Sequence, residues 1–133
     1  MSEVLELLDL LIVGGGPGGT AAAFRARELG LSVLVIDYDD VLKRIRDYSK
    51  DKLILPNFGG GDLLRFPKGG ELLGRLYFVP IDKDEMHRSW KQLYAEHGVP
   101  VRVGLELTAL ERRGDRDGGA WEVRCWDHGR RVE

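Results

Sequence analysis

A glycine-rich turn between two apolar segments is the feature that most constrains the fold of this chain. The segment Leu7–Val13, LLDLLIV, is a nearly continuous apolar run, which is typical of a strand buried in a parallel sheet. The turn GGGPGG follows, and then a run of good helix formers that ends at Gly30. Leu31–Asp37, LSVLVID, is a second strand candidate, apolar and β-branched. A strand, a helix and a strand within roughly 30 residues predict a βαβ unit, and therefore an α/β fold with a parallel sheet.

The glycines of this turn have the spacing of a dinucleotide-binding fingerprint, Gly14-x-Gly16-x-x-Gly19, in the required position between a strand and a helix. Gly14 allows the tight turn, Gly16 leaves room for a pyrophosphate, and Gly19 lets the helix pack close to the sheet. Pro17 suits the first helical turn because its missing N–H would have no intrahelical partner there. The helix N-terminus offers N–H groups and a positive dipole end to phosphates. The predicted cofactor-binding residues of the turn are Gly14, Gly15, Gly16, Pro17, Gly18 and Gly19.

Asp37 completes the predicted nucleotide site. It lies 18 residues after Gly19, at the end of the second strand, where a carboxylate can accept hydrogen bonds from a ribose diol. The same charge repels a 2′-phosphate, which disfavours NADP at this turn. The residues alone leave FAD and NAD as alternatives, because both carry an ADP moiety.

The remainder of the chain is less regular at first. Residues 41–80 predict an irregular connecting segment of short strands and turns, with loops at Gly59–Gly61 and Lys68–Gly70. A helix is predicted between Asp82, which begins a capping-box-like first turn with Glu85, and Gly98. One face of that helix carries Met86, Trp90, Leu93 and His97.

Two strands are predicted after this helix. VPVRVGLELTALERR reads as one long strand, bent near Gly104. The turn GDRDGG then leads to AWEVRCWD, whose alternation places Trp121, Val123 and Cys125 on one face.

Composition excludes several classes of function. The 20 basic and 22 acidic residues give a net charge of −2, which provides no electrostatic case for nucleic acid or an anionic membrane as partner. One cysteine excludes a disulfide framework, and the three histidines are widely spaced, so no metal site is expected. No segment approaches the roughly 20 apolar residues that span a bilayer. We therefore expect a cytoplasmic protein whose partner is a small-molecule dinucleotide.

The segment DLLIVGGGPGGTAAAFRARELGLSVLVID resembles the N-terminal FAD-binding segment of the two-dinucleotide-binding-domain flavoproteins. The later segments follow in an order similar to that of flavin-containing monooxygenase-like enzymes and of thioredoxin and bacillithiol-disulfide reductases. This resemblance implies a Rossmann-like FAD-binding domain over residues 1–133, with the start of a β-meander at 107–133. It also implies FAD as the cofactor and NAD(P)H as the co-substrate, and it leaves a homodimer open.

The resemblance also implies a backbone contact to adenine at Leu107, with Glu106 as the competing register. A final strand with an Ala-Thr-Gly-like turn, a second glycine fingerprint and the groups around the isoalloxazine ring do not occur in this sequence. We therefore expect an incomplete domain, the N-terminal fragment of a longer flavoprotein, and no catalytic residue is identified.

Three functions follow from these expectations. The first is the FAD-binding part of an NAD(P)H-dependent oxidoreductase, whose flavin passes electrons to oxygen, a disulfide or another acceptor. The second is a non-catalytic module that binds ADP-containing dinucleotides. The third is an inactive fragment.

Overall fold

Residues 6–55, 75–76 and 78–129 are described by the structure, a computed structural model of the chain. In chain order its elements are β1 (Leu10–Val13), α1 (Pro17–Glu28), β2 (Val33–Asp37), α2 (Lys43–Arg46), β3 (Leu53–Ile54), β4 (Ile81–Asp82), α3 (Lys83–Glu96), β5 (Val101–Val103), β6 (Leu105–Arg113) and β7 (Ala120–Asp127). Strands and helices alternate from β1 to β3, and the last two strands form a hairpin.

Three parallel strands form the sheet that carries the glycine-rich turn, in the order β1-β2-β5. Strand β2 is central, with Val13 paired to Ile36 on one side and Val103 paired to Asp37 on the other. The carboxyl ends of all three strands therefore lie at one edge of the sheet, where α/β proteins bind their ligands. The predicted α/β fold with a parallel βαβ unit is confirmed.

Strand β1 is shorter and more exposed than the sequence predicts. The expected strand Leu7–Val13 begins only at Leu10, and Leu7 is 89% exposed. The carboxylate of Asp9 accepts hydrogen bonds from the N–H and the hydroxyl of Ser32, at 2.8 and 2.9 Å, just before pairing begins. Among the described strands, β1 pairs with β2 alone and is therefore an edge strand of the sheet. This position explains why the side chain of Val13 is 55% exposed.

The core lies between the sheet and the two long helices. Phe24 of α1 is fully buried and meets the ring of Tyr94 of α3 edge-on, with centroids 5.0 Å apart. Around this contact the buried residues come from β1, β2, the three helices and the loops between them, and none comes from the β6–β7 hairpin. They include Ile12, Ala23, Ala26, Val33, Val35, Val41, Leu42, Ile45, Met86, Trp90, Leu93 and Val99.

Helix α3 begins as the sequence predicts. The carboxylate of Asp82 accepts hydrogen bonds from the N–H groups of Asp84 and Glu85, at 2.8 and 3.3 Å. The buried face holds the predicted Met86, Trp90 and Leu93, whereas His97 is a half-buried C-cap residue. The buried set also includes Lys83 and Tyr94, which the pattern does not predict.

The predicted long strand after α3 is in fact two strands in two sheets, and this prediction was wrong. Gly104 separates β5 from β6 with a φ of +75°, a backbone conformation that favours glycine. Strand β5 stays in the parallel sheet, whereas β6 pairs antiparallel with β7 from Leu105 to Arg113. Within the connecting segment 41–80 the structure describes a one-turn α2 and the short β3, and the loops Gly59–Gly61 and Lys68–Gly70 lie outside the described residues.

His87 on α3 has an unusual environment. Its Nε2 atom is buried and has no hydrogen-bond partner among the described residues. Burial lowers the pKa of its imidazole, and the positive charges of Lys91 and Arg46 lower it further, with Asp40 and Asp84 acting in the opposite direction.

We expect His87 to destabilise the fold in acid. The unfolded imidazole has the higher pKa, about 6.5, so the unfolded state binds a proton more readily and stability falls as the pH drops through that value. Urea unfolding of the wild type and of His87→Gln between about pH 7.5 and pH 5 checks this. The variant should lose less stability on acidification, and identical pH dependence in both proteins would contradict the assignment.

We expect Gly19→Ala to destabilise the protein by about 1–3 kcal/mol, because a Cβ atom there overlaps the carbonyl oxygen of Gly14 and lies 3.2 Å from Ile12 Cγ2. Gly18→Ala is the matched control, since a Cβ atom at Gly18 meets nothing within 4 Å. The control should leave the free energy of unfolding unchanged or raise it by up to about 1 kcal/mol. Denaturant unfolding measures the free energy of unfolding of both variants. Equal effects would show that the fold does not need the close contact between Gly19 of helix α1 and the carbonyl of Gly14.

Candidate functional site

The glycine-rich turn closes tightly between β1 and α1. Gly14 has a φ of +103°, and its N–H donates to the carbonyl of Ile36 at 2.8 Å, which ties the turn to the end of β2. Gly16 is the extended N-cap residue of α1, its carbonyl accepts from the N–H of Thr20 at 2.8 Å, and Pro17 is the first helical residue. No side chain caps this helix end within the described part of the chain. The first-turn N–H groups are thus placed to bind an anion.

The four other glycines of the turn divide into two pairs. A Cβ atom at Gly15 would lie 2.5 Å from Val41 Cγ1, and at Gly19 it would overlap the carbonyl of Gly14, so the fold itself requires glycine at both positions. A Cβ atom at Gly16 or Gly18 would meet no atom of residues 6–55, 75–76 and 78–129 within 4 Å. The packing of the chain therefore gives no reason for glycine at these two positions, whereas a pyrophosphate lying against the backbone does. The turn fits the phosphates of a dinucleotide.

Asp37 lies at the tip of β2 and touches the turn directly. Its Oδ2 atom accepts a hydrogen bond from the N–H of Gly15 at 2.7 Å, and its Oδ1 atom accepts from the N–H of Asp39 at 3.0 Å. An ionised carboxylate offers about four lone-pair positions, so roughly two remain for the hydroxyls of a ribose. The structure therefore brings together Gly14–Gly19 and Asp37, as the sequence predicts.

The buried hydroxyl groups of Thr20 and Tyr94 form a pair that contacts the turn, and the sequence analysis did not predict this pair. The hydroxyl of Thr20 lies 2.7 Å from that of Tyr94 and donates to the carbonyl of Gly15 at 3.4 Å. The same carbonyl accepts from the N–H of Leu42 at 2.7 Å. Burial raises the pKa of Tyr94, and the charge of Asp37 raises it further, so this phenol stays protonated. The signal in the sequence that could have indicated this pair is Thr20 itself, a polar residue in the first turn of an alanine-rich helix.

Leu107, the predicted adenine contact, lies on the hairpin at a register irregularity. It pairs with Cys125, and the next pair is Ala109 with Arg124, so the ladder is interrupted between them. Thr108 fills the interruption by donating its hydroxyl to the carbonyl of Arg124 at 3.1 Å. Bulges are common beside functional sites. The adenine role of Leu107, or of Glu106 in the competing register, stays a prediction.

An open cleft of about 520 Å³ borders the helix end at Pro17. Apolar and aromatic side chains dominate its walls, among them Ile54, Phe78 and Trp90. Such a volume and lining are typical of sites for small organic molecules.

Two further classes of site are not found in the described residues. No group of three His, Cys, Asp or Glu side chains in residues 6–55, 75–76 and 78–129 could hold a metal ion. None of the described helices is both long enough and apolar enough to span a membrane.

Comparison with known proteins agrees with this geometry. Residues 9–42, which contain β1, the turn, α1, β2 and Asp37, match the family model described as FAD dependent oxidoreductase. The chain is 28% identical over 86 residues to the ferredoxin–NADP reductase of Ignicoccus hospitalis, which covers 63% of this chain and 28% of that protein.

Solved structures show the same fold. The bacillithiol disulfide reductase Bdr from Staphylococcus aureus superposes with a TM-score of 0.61 at 16% identity, over 86% of this chain and 32% of its own. A flavin monooxygenase from Stenotrophomonas maltophilia, the Q193R H194T mutant, superposes with a TM-score of 0.62 at 17% identity, over 91% of this chain and 34% of its own. The chain thus spans about a third or less of the length of these proteins.

The parallel sheet and the turn between β1 and α1 define a Rossmann-type α/β fold. Over residues 9–42 the chain is similar to the FAD-dependent oxidoreductases, so the predicted resemblance is confirmed for this segment, and the match agrees with FAD as the expected cofactor.

We expect the Thr20–Tyr94 hydroxyl pair to stabilise the fold. Tyr94→Phe leaves the buried hydroxyl of Thr20 with only the 3.4 Å contact to Gly15, which should cost about 1 kcal/mol of the free energy of unfolding. Chemical unfolding of Tyr94→Phe, Thr20→Val and the double variant measures the coupling. A coupling energy of about 0.5–1.5 kcal/mol is expected, and strict additivity would show that the two hydroxyls act independently.

Proposed function

We propose that this chain is the FAD-binding N-terminal part of an NAD(P)H-dependent flavoprotein oxidoreductase. The observation that carries the proposal is the open space at Gly16 and Gly18, on an uncapped helix end inside the segment that matches the FAD-dependent oxidoreductases. The names of the reductases and monooxygenases to which the chain is similar support the reaction class.

Each described part of the site has a task in this proposal. The backbone N–H groups of the turn and the dipole of α1 hold the pyrophosphate, and Gly16 and Gly18 allow it to approach. Asp37 holds the ribose diol and disfavours a 2′-phosphate, so NADP is not expected at this turn. The backbone of Leu107 is proposed to contact adenine.

The open cleft beside Pro17 offers a largely apolar surface next to the helix end that is proposed to hold the pyrophosphate. FAD, when bound, supplies the redox chemistry, accepting a hydride from NAD(P)H and passing electrons to oxygen, a disulfide or another acceptor. The role of the described residues is to bind and orient the cofactor.

Release of nucleotide from the purified, denatured chain, identified by chromatography and mass spectrometry, tests the cofactor. Recovered FAD supports the flavoprotein assignment, and recovered NAD would place the chain with the dehydrogenases instead. Retained FAD without any NAD(P)H-driven bleaching of the flavin would favour the non-catalytic binding module. A folded chain that stays empty after incubation with FAD contradicts the proposal for this chain.

We expect Gly16→Val to abolish FAD retention, because its side chain fills the space against which the pyrophosphate lies. No atom of the described residues lies within 4 Å of the added Cβ, so the ligand-free variant should lose only about 1 kcal/mol of stability, from the poorer N-cap. Flavin content after purification and FAD titration measure the loss.

Gly118→Val is the control, since Gly118 lies in the hairpin turn and a Cβ atom there also meets nothing within 4 Å. This variant should retain FAD at the wild-type level. Unchanged flavin content in a folded Gly16→Val protein would contradict the proposal that this turn binds the pyrophosphate of FAD.

A further inference from the structure

The last strand of the structure has one edge to which no described strand pairs. Strand β7 forms its ladder with β6 alone, and the other side of β7 is called here its open edge. No residue of β7 belongs to the core of the described chain, and Trp121 is 62% exposed. A sheet of only two strands is marginally stable, and an unpaired edge is a template for a further strand. The open edge of β7 is therefore a surface for strand addition.

The backbone of β7 determines which residues serve the open edge. The N–H of His128 donates to the carbonyl of Gly104 at 2.8 Å, so His128 directs its backbone toward the side of β6. Successive residues of a strand direct their N–H and C=O groups to alternate sides. The irregularity at Thr108 adds a residue to β6 and leaves this alternation along β7 unchanged. The odd-numbered residues from Trp121 to Cys125 therefore present their backbone groups to the open edge.

The charged side chains on β7 are complementary to a second copy of the same strand. Glu122 and Arg124 flank Val123 and share one face, where Nη2 of Arg124 lies 2.7 Å from Oε1 of Glu122. Two copies of β7 that pair antiparallel about Val123 place each Glu122 opposite Arg124 of the partner subunit. These are the pairs without backbone bonds, in which side chains approach most closely. The four side chains then form a ring of alternating charge.

The neighbouring registers lack this complementarity. Antiparallel pairing about Glu122 places that carboxylate opposite its own copy, and pairing about Arg124 does the same with two guanidinium groups. Like charges directly opposite each other destabilise a sheet. The charges therefore select the register about Val123, in which the outward-facing backbone groups of both strands also meet.

The other face of the hairpin is apolar, and the same pairing extends it. Trp121, Val123 and Cys125 share this face, and Leu110, which is 54% exposed, lies opposite Val123 on β6. A two-fold axis perpendicular to the sheet keeps this face on the same side in both copies. Exposed apolar side chains of the two hairpins thus form one strip across four strands.

We propose that this chain forms a symmetric homodimer in which β7 pairs antiparallel with β7 of a second copy, about Val123. The two hairpins become one four-stranded sheet with β7 of each copy at its centre. The inference assigns a surface to the homodimer that the sequence leaves open. It is independent of the proposed function, since it uses neither the glycine-rich turn nor Asp37.

Sedimentation of the 133-residue chain over a range of concentrations tests the dimer, with Glu122→Arg and Arg124→Glu as variants. The wild type should show a monomer–dimer equilibrium. Each reversal places like charges opposite each other twice, so it should weaken self-association by about tenfold or more. An equimolar mixture of the two variants should restore association as a heterodimer, because every arginine then lies opposite a glutamate of the partner.

Glu111→Arg is the matched control. Glu111 carries the same charge on the same face and pairs with Arg113 at 2.9 Å, but it lies on β6, one strand away from the open edge. This variant should associate like the wild type. Val123→Pro removes an N–H that points to the open edge and no bond of the hairpin, so a folded protein with weakened association is expected.

Three results would overturn the inference. The first is a wild type that stays monomeric at every concentration, including one that dimerises only after residues 130–133 are removed, since its own terminus then occupies the edge. The second is a dimer that neither charge reversal weakens, because another surface then holds it. The third is a mixture of the two reversed variants that associates no better than each variant alone.

Discussion

The rest of this structure depends on how closely helix α1 approaches the strand before it. Gly19 lies against the carbonyl of Gly14, at a separation that no side chain would permit. Because the helix sits this close, its N-terminus comes to the carboxyl edge of the sheet and its buried face, with Phe24, reaches the core. One packing contact therefore places the helix dipole, the turn and the core in a single arrangement. A larger residue at this contact would displace all three.

The proposed nucleotide site and the fold share one hydrogen-bond network, which is centred on Gly15. Its N–H donates to Asp37, and its carbonyl accepts from the N–H of Leu42 and from the hydroxyl of Thr20. Thr20 extends the network to Tyr94 on α3. The residue that would hold a ribose is thus bonded to the turn that would hold the phosphates. Such a site is preorganised, because the turn and Asp37 are already joined to each other before a ligand binds.

The sequence predicted correctly the features that depend on residues close together in the chain. The turn, the acid at the end of β2 and the Asp82 cap all follow from residue types at fixed spacings, and the structure has each where the sequence indicates it. A bend near Gly104 was predicted, but the change of sheet there was not, because a strand pattern looks the same whether its halves lie in one sheet or in two. The start of β1 was also placed too early, since pairing with β2, and not hydropathy, decides where a strand begins.

The sequence by itself predicted a strand, a glycine-rich turn and a helix in that order, since glycines at that spacing between a strand and a helix are typical of a dinucleotide-binding turn. Only the tertiary structure decided which glycines the packing requires and which it leaves open, because that distinction depends on what lies within a few ångströms of each backbone. It also decided that Tyr94, 74 residues from Thr20, would support the turn, and that Tyr38 would meet His128 across two sheets. Contacts between residues so far apart in the chain arise from packing, which no local spacing encodes.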